Sequence, residues 1–330
     1  MTTLLVSHRV AVDSGADIEQ RSRRRGCPVE IVALPPERDA RLPDTVCEGV
    51  ETAFFSGDIF PDYSRQFFSA VRKAPKLRWL HVFNAGVDHP IYGEMLARGV
   101  RLTTSAGTAA EPIAHTAIAG LLMLARCFPR WMVHQRNHRW DPMRPPDVPR
   151  DLPGQTAVIV GVGNIGREIA RLAKAFGLRV IGVRRSAGTV SSVDELHPPA
   201  RLPEILPTAD WLIIAAPLTP QTRGLISADL ISKLPPHAGV VNVARGEIID
   251  EAALVDALRS GRLAGAYLDV FEREPLPEDS PLWDMPNVIV TPHNSAAASG
   301  NDARVYEMFM ENLARWHRGE ALLNEVAHNN

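Results

Sequence analysis

Six residues near the middle of the chain, Gly161-Val162-Gly163-Asn164-Ile165-Gly166, have the G-x-G-x-x-G spacing of a loop that cradles phosphates. Gly161 permits a tight turn, Gly163 lets backbone approach a pyrophosphate, and Gly166 lets the following helix pack closely on the strand. The N–H groups from Asn164 and Ile165 onward then offer the positive end of a helix dipole to a dinucleotide. A bare structural turn competes with this reading at any glycine loop. Here an apolar strand precedes the loop and an alternating helical pattern follows it, which favours the dinucleotide.

The end of the next strand selects between dinucleotides. An acidic residue there would accept hydrogen bonds from the ribose 2′-hydroxyl of NAD. Val180-Ile181-Gly182-Val183 instead runs into Arg184-Arg185-Ser186. Two guanidiniums and a hydroxyl suit a 2′-phosphate. The expected cofactor is NADP(H), with NAD(H) the second choice. Against this stands the arginine-rich background: apart from Lys73, Lys76, Lys174 and Lys233, all 36 basic residues are arginine.

Three further polar residues follow later strand candidates, where ligands of an open α/β sheet bind. Arg245 follows Val241-Asn242-Val243-Ala244, Glu274 lies in Asp269-Val270-Phe271-Glu272-Arg273-Glu274-Pro275, and His293 lies in Thr291-Pro292-His293. Reduction of a 2-oxo acid needs a cation for the carboxylate and a proton donor for the carbonyl oxygen. Arginine is the best fork for a carboxylate, and histidine is the natural acid near neutral pH. A neighbouring carboxylate favours the protonated ring. Singly, each residue has a structural explanation; together and in this order they carry weight.

The elements that must position these groups are written in short β-branched runs alternating with helical patterns, the habit of a parallel sheet covered by helices. Strands are expected near 3–7, 29–33, 52–56, 77–83 and 101–104, then near 156–160, 179–183, 211–215, 239–242, 265–269 and 288–291. A long apolar helix is expected over 111–137, with Pro129 kinking or restarting it. Further helices are expected over 167–176, 251–260 and 303–318. The chain has 330 residues, enough for about two domains, with 45% hydrophobic and 22% charged residues. A net charge of −2 gives no footprint of a nucleic-acid binder. Three unclustered cysteines fit a reducing cytoplasm, and neither a membrane span nor a signal peptide is legible.

These motifs, with Asn84-Ala85-Gly86-Val87-Asp88, resemble the D-isomer-specific 2-hydroxyacid dehydrogenase family over essentially the whole chain. The resemblance implies that Arg245 holds the substrate carboxylate and carbonyl, that His293 is the proton donor, and that Glu274 is its partner. It places backbone amides of Ala85 and Gly86 on the substrate carboxylate and Asp269 at the nicotinamide carboxamide. It also puts Val243 and Ala244 beside the nicotinamide, with Pro217 and Thr222 lining the adenosine side. The implied fold is a Rossmann-type doubly wound cofactor domain, residues 105–291, inserted in a smaller flavodoxin-like α/β substrate domain, residues 1–104 and 292–330. The implied assembly is a homodimer through the long helix after Glu111.

Arginines after strand two favour members like the glyoxylate/hydroxypyruvate reductases, so a small 2-oxo or 2-hydroxy acid is the expected substrate. Phe271, where D-lactate dehydrogenases commonly carry tyrosine, lowers that substrate. Two positions depart from the family pattern: His115 follows Ala114 where glutamate is frequent, and Met143 stands where a second tryptophan near Trp140 would be expected. A dinucleotide-sensing protein of the co-repressor type is the competing class. Of the remaining signals, His134 and His138 are spaced i, i+4 but lack the glutamate of a zinc helix, and are expected at a surface or interface. Trp131 and Trp140 are expected to pack, and Cys127 to act as a small hydrophobe on the helix.

Overall fold

The computed structural model describes residues 1–327. The chain forms two compact units, one from Met1–Thr108 with the chain from Ser299 onward, the other from Ala109–Ala298.

In the first unit, β1 (Thr2–Val6), β2 (Val29–Ala33), β3 (Thr52–Phe55), β4 (Trp79–Val82) and β5 (Arg101–Thr104) form one sheet. Its order is β2-β1-β3-β4-β5, every pairing is parallel, and this is the flavodoxin-like winding. The helices are α1 (His8–Arg24), α2 (Asp44–Cys47), α3 (Ser64–Arg72) and α4 (Pro90–Ala97). Side-chain alternation divides the core: Leu5, Ala53, Phe55, Leu80 and Val82 pack with α3 and α4, while Leu4, Val6, Phe54 and Trp79 pack on the opposite face. That second face is closed by the C-terminal helix, whose Phe309 stacks on Phe54 with ring centroids 4.3 Å apart.

The second unit opens with α5 (Ala110–Ala125) and α6 (Phe128–Arg136), then alternates β6 (Thr156–Val160), α7 (Asn164–Ala175), β7 (Arg179–Val183), β8 (Glu195–His197), α8 (Leu202–Ile205) and β9 (Trp211–Ile214). It continues through α9 (Ala228–Ser232), β10 (Gly239–Asn242), α10 (Glu251–Arg259), β11 (Gly265–Leu268) and β12 (Val288–Val290), before α11 (Asn301–Arg318) returns to the first unit. The all-parallel sheet runs β12-β11-β10-β9-β6-β7-β8, which is doubly wound with its switch between β6 and β9. Val158, Val160, Leu212 and Ile214 face one layer of helices; Ala157, Ile159, Ile213 and Tyr267 face α5 and α7. Strands buried on both faces read as continuous apolar runs, which is why they were visible in the sequence.

The helix expected over 111–137, with Pro129 kinking or restarting it, is two helices bent by 72° at Cys127, which takes a left-handed φ of 58°. Three other expectations need correction. Cys127 is therefore the joint and not a residue on the helix, and Pro129 lies in the first turn of α6, where its missing N–H costs nothing. His138 has φ 50° and lies beyond the end of α6, so it shares no helical face with His134. Trp140 does not pack: it is 95% exposed. Among the described residues, no single helix is long and apolar enough to cross a membrane.

Candidate active site

The glycine loop occupies the switch point of the second sheet. Gly161 has φ +95°, and a Cβ there would fall 2.4 Å from the backbone of Ala216, at the end of the neighbouring strand β9. A Cβ on Gly166 would fall 2.0 Å from the Gly161 carbonyl oxygen, so helix and strand meet through that hydrogen. At Gly163 the outcome differs: a Cβ would meet nothing within 4 Å. Gly163 is also the N-cap of α7 and brings no side-chain cap to the first N–H groups of the helix. An open approach to uncapped donors at a helix N-terminus fits a pyrophosphate.

At the end of β7 the two arginines differ. The Arg184 guanidinium folds back on its own loop, donating from Nε to the Ser186 carbonyl at 2.8 Å and from a terminal nitrogen to the Ala187 carbonyl at 3.1 Å. Arg185 and Ser186 are exposed. On the next crossover, the Thr222 hydroxyl donates to the Pro217 carbonyl at 2.6 Å and accepts the Thr219 N–H at 2.8 Å, closing a tight turn.

Arg245, Glu274 and His293 come together in the loops after β10, β11 and β12. The Arg245 turn is shaped by the fully buried Asn242, whose amide donates to the Arg245 carbonyl at 3.1 Å and whose oxygen accepts the Ala244 N–H at 3.1 Å. Val243 and Ala244 are buried in that turn. Next to Arg245, a Cβ on Gly246 would fall 1.9 Å from the Phe271 carbonyl carbon. Only glycine allows the two loops to touch there, which brings Arg245 beside the segment that carries Glu274.

Glu274 Oε2 lies 2.7 Å from His293 Nδ1, and Glu274 Oε1 accepts the Phe271 N–H at 3.1 Å. Burial pushes the Glu274 carboxyl up; its hydrogen bonds with His293 and Phe271 and the nearby charges of His293 and Arg245 more than offset this, leaving it below the ordinary 4.5. Glu274 is therefore ionised near neutral pH and accepts from Nδ1–H, which leaves Nε2 as the nitrogen free of the pair. The His293 side chain keeps 44% of its surface exposed, so the ring is accessible to a small molecule.

Asp269, expected at the nicotinamide, is fully buried. Its carboxylate accepts from Thr291, Asn294 and Ser295 and so anchors the loop that carries His293. Asn242, Thr291 and Tyr267 support the site and went unnoticed in the sequence; Asn242 and Thr291 lie inside motifs that were read for Arg245 and His293. Ala85 and Gly86 belong to the first unit, in the loop after β4, where the Asn84 amide donates to the Gly86 carbonyl and the Tyr92 hydroxyl donates to Asn84 Oδ1 at 3.2 Å. His115 Nε2 stands 3.8 Å from Glu111 on the exposed side of α5. His134 Nδ1 lies 3.4 Å from Asp141.

A doubly wound sheet with a phosphate loop at its switch point, and a histidine–carboxylate pair beside an arginine, defines a dinucleotide-dependent oxidoreductase. The family model described as D-isomer specific 2-hydroxyacid dehydrogenase, NAD binding domain, matches residues 118–295. The chain is 35% identical over 258 residues, 77% of each chain, to a glyoxylate reductase of Korarchaeum cryptofilum. Among solved structures, it resembles a D-isomer specific 2-hydroxyacid dehydrogenase of Xanthobacter autotrophicus in complex with NADPH and MES (TM-score 0.77, 32% identity, 99% and 98% of the two chains covered). It also resembles an NADPH-dependent glyoxylate/hydroxypyruvate reductase of Sinorhizobium meliloti in complex with NADP and sulfate (TM-score 0.75, 28% identity, 98% of each chain covered). The chain belongs to the D-isomer specific 2-hydroxyacid dehydrogenase family. It is an NAD(P)-dependent oxidoreductase that transfers a hydride between the nicotinamide and a 2-oxo or 2-hydroxy acid.

Proposed function

We propose that the enzyme is an NADPH-preferring reductase of a small 2-oxo acid such as glyoxylate or hydroxypyruvate, with His293 as proton donor, Glu274 as its partner and Arg245 as substrate anchor. The observation that carries this reading is the 2.7 Å pair between Glu274 and His293 Nδ1. An ionised Glu274 holds the Nδ1–H, so the proton for the carbonyl oxygen leaves from Nε2. Arg245 offers a planar fork to the substrate carboxylate and polarises the adjacent carbonyl. The bound nicotinamide supplies the hydride. The uncapped start of α7 would hold the pyrophosphate through the N–H groups of Asn164 and Ile165.

Preference for NADPH is supported by the absence of an acidic residue after β7 and by the exposed Arg185 and Ser186 there. With Arg184 engaged by its own loop carbonyls, Arg185 and Ser186 are assigned the 2′-phosphate and Arg184 the shape of the turn that presents them. That two similar proteins were solved in complex with NADPH and with NADP supports the choice of cofactor. NADPH and NADH oxidation against glyoxylate, hydroxypyruvate, pyruvate and phenylpyruvate tests both points. Higher kcat/KM with NADPH, and with glyoxylate and hydroxypyruvate over pyruvate and phenylpyruvate, is expected; parity between the cofactors would remove the preference.

We also assign a cytoplasmic homodimer. Phe128, Met132 and Val133 of α6 are 43%, 42% and 48% exposed, and no residue of that helix is buried within the chain. An apolar helix face of this kind suits a second copy. The three free cysteines suit a reducing compartment. Light scattering at micromolar concentration is expected to give twice the chain mass of 36.2 kDa.

A further inference from the structure

The Asp269 carboxylate accepts the Thr291 hydroxyl at 2.6 Å, the Asn294 N–H at 2.9 Å and the Ser295 N–H at 3.1 Å. The Asp269 carbonyl accepts the His293 N–H at 2.8 Å. Residues 291–295 are thus wrapped around one fully buried anion. His293 sits in the middle of the wrap with a left-handed φ of 49°, a conformation a non-glycine residue keeps only where its surroundings fix it.

The wrap is held in turn from behind. The Tyr267 hydroxyl lies 2.7 Å from Thr291 Oγ1. Thr291 has one hydroxyl proton and gives it to the carboxylate, so Tyr267 must donate to Thr291. Burial pushes the Tyr267 hydroxyl up to about 12, which keeps that proton in place at neutral pH. The chain of donors therefore has one direction: Tyr267 to Thr291, and Thr291 to Asp269. The tyrosine ring is seated by α5, because a Cβ on Gly120 would fall 2.3 Å from Tyr267 Cγ. One turn earlier on the same helix, the Thr116 hydroxyl donates to the Pro112 carbonyl at 3.0 Å and lies 3.4 Å from the Ser295 carbonyl.

We propose that Tyr267 and Thr291 are positioning residues for His293: they fix the orientation of the Asp269 carboxylate, and through it the loop that aims the imidazole. This rests on the assignment of His293 as proton donor. Without the Thr291 hydroxyl, Asp269 Oδ1 keeps a single donor, and the loop has a second orientation open to it. Tyr267→Phe removes only the proton at the head of the chain and leaves the ring against Gly120. Catalysis is steep in the placement of a proton donor, so each change acts on turnover more than on binding.

The test compares wild-type full-length enzyme with Tyr267→Phe, Thr291→Val, Thr291→Ser and His293→Gln, with glyoxylate and NADPH as probes. The readouts are kcat, the KM for glyoxylate, and NADPH affinity by fluorescence titration. Tyr267→Phe and Thr291→Val are each expected to lower kcat roughly ten- to a hundredfold with NADPH affinity retained. Thr291→Ser, which restores the hydroxyl, is expected to recover most of the loss. If Thr291→Val does not fold, Tyr267→Phe decides. The proposal is overturned if both retain wild-type kcat while His293→Gln is inactive. It is equally overturned if Thr291→Ser is as slow as Thr291→Val, or if kcat and NADPH affinity fall together. Full turnover by His293→Gln would remove the role of His293 itself, and the positioning role with it.

Discussion

Glu274 Oε2 and His293 Nδ1 are 2.7 Å apart although they belong to two different loops, one after β11 and one after β12. The pair has a polarity. Glu274 is held below the ordinary carboxylate value, so it is an acceptor at every pH where the enzyme is expected to work, and the ring nitrogen facing it carries hydrogen. Chemistry is thereby directed to the other nitrogen.

Glu274→Gln tests that polarity. A glutamine can meet Nδ1 with its N–H₂ group, which permits the wrong tautomer, and it carries no charge. The expected result is a kcat for glyoxylate reduction lower by about 10²–10⁴-fold, with NADPH affinity retained, measured by steady-state kinetics and fluorescence titration. A variant within a factor of a few of wild type would show that the carboxylate is only a structural partner.

The glycine loop separates stability from binding. Gly163→Ala adds a methyl group where nothing lies within 4 Å, so the thermal midpoint is expected to hold while NADPH affinity collapses. Gly161→Ala places its methyl 2.4 Å from Ala216 backbone at a positive φ, and is expected to destabilise the unit by on the order of 1–3 kcal/mol or more. Thermal melts with and without NADPH check both. Unchanged NADPH affinity in Gly163→Ala would mean that the phosphates bind elsewhere.

Arg184 and Arg185 are predicted to fail differently. Arg185→Ala is expected to raise the KM for NADPH about ten- to a hundredfold, the loss of one charged hydrogen-bonding partner, and to leave NADH nearly untouched. Arg184→Ala releases the carbonyls of Ser186 and Ala187 and is expected to weaken both cofactors, because the turn itself changes. Identical effects of the two variants would remove the distinction.

His81 predicts an acid-side loss of stability. The ring is fully buried in the first unit, and burial lowers its pKa from 6.5 to about 3. Trp79 donates to Thr103 Oγ1 at 2.8 Å, Thr103 Oγ1 lies 2.7 Å from His81 Nδ1, and His81 Nε2 lies 3.1 Å from Ser105 Oγ, which donates to the Val82 carbonyl at 3.1 Å. A neutral ring with hydrogen on Nε2 satisfies that chain. Below pH 6.5 the unfolded state binds a proton that the folded state refuses, so stability falls with pH by up to about 1.4 kcal/mol per unit. Urea denaturation between pH 7 and pH 5 should show the slope, and His81→Gln should flatten it.

Much of the architecture was legible because parallel strands buried on both faces are apolar throughout. β8 was not, because Glu195–His197 is a three-residue edge strand of mostly polar composition, and its neighbours include the ion pair of Glu195 with Arg179. The break between α5 and α6 left no glycine to mark it; Cys127 takes the left-handed turn, and only Pro129 gave a sign. Arg245, Glu274 and His293 could be named because their residue types fit the chemistry. Tyr267 and Thr291 could not, since a tyrosine inside a buried strand reads as core until strand register brings it to a hydroxyl on the next strand's end. Nor does sequence reveal that Arg184 turns back onto its own loop.

The most direct test of His293 as the proton donor is the rate of NADPH oxidation with glyoxylate by wild-type enzyme and by His293→Gln, each at saturating NADPH, with cofactor binding measured in parallel. Turnover by the wild type is expected, with a loss of about 10²–10⁴-fold in the variant and NADPH still bound. Undiminished turnover by His293→Gln would contradict that role.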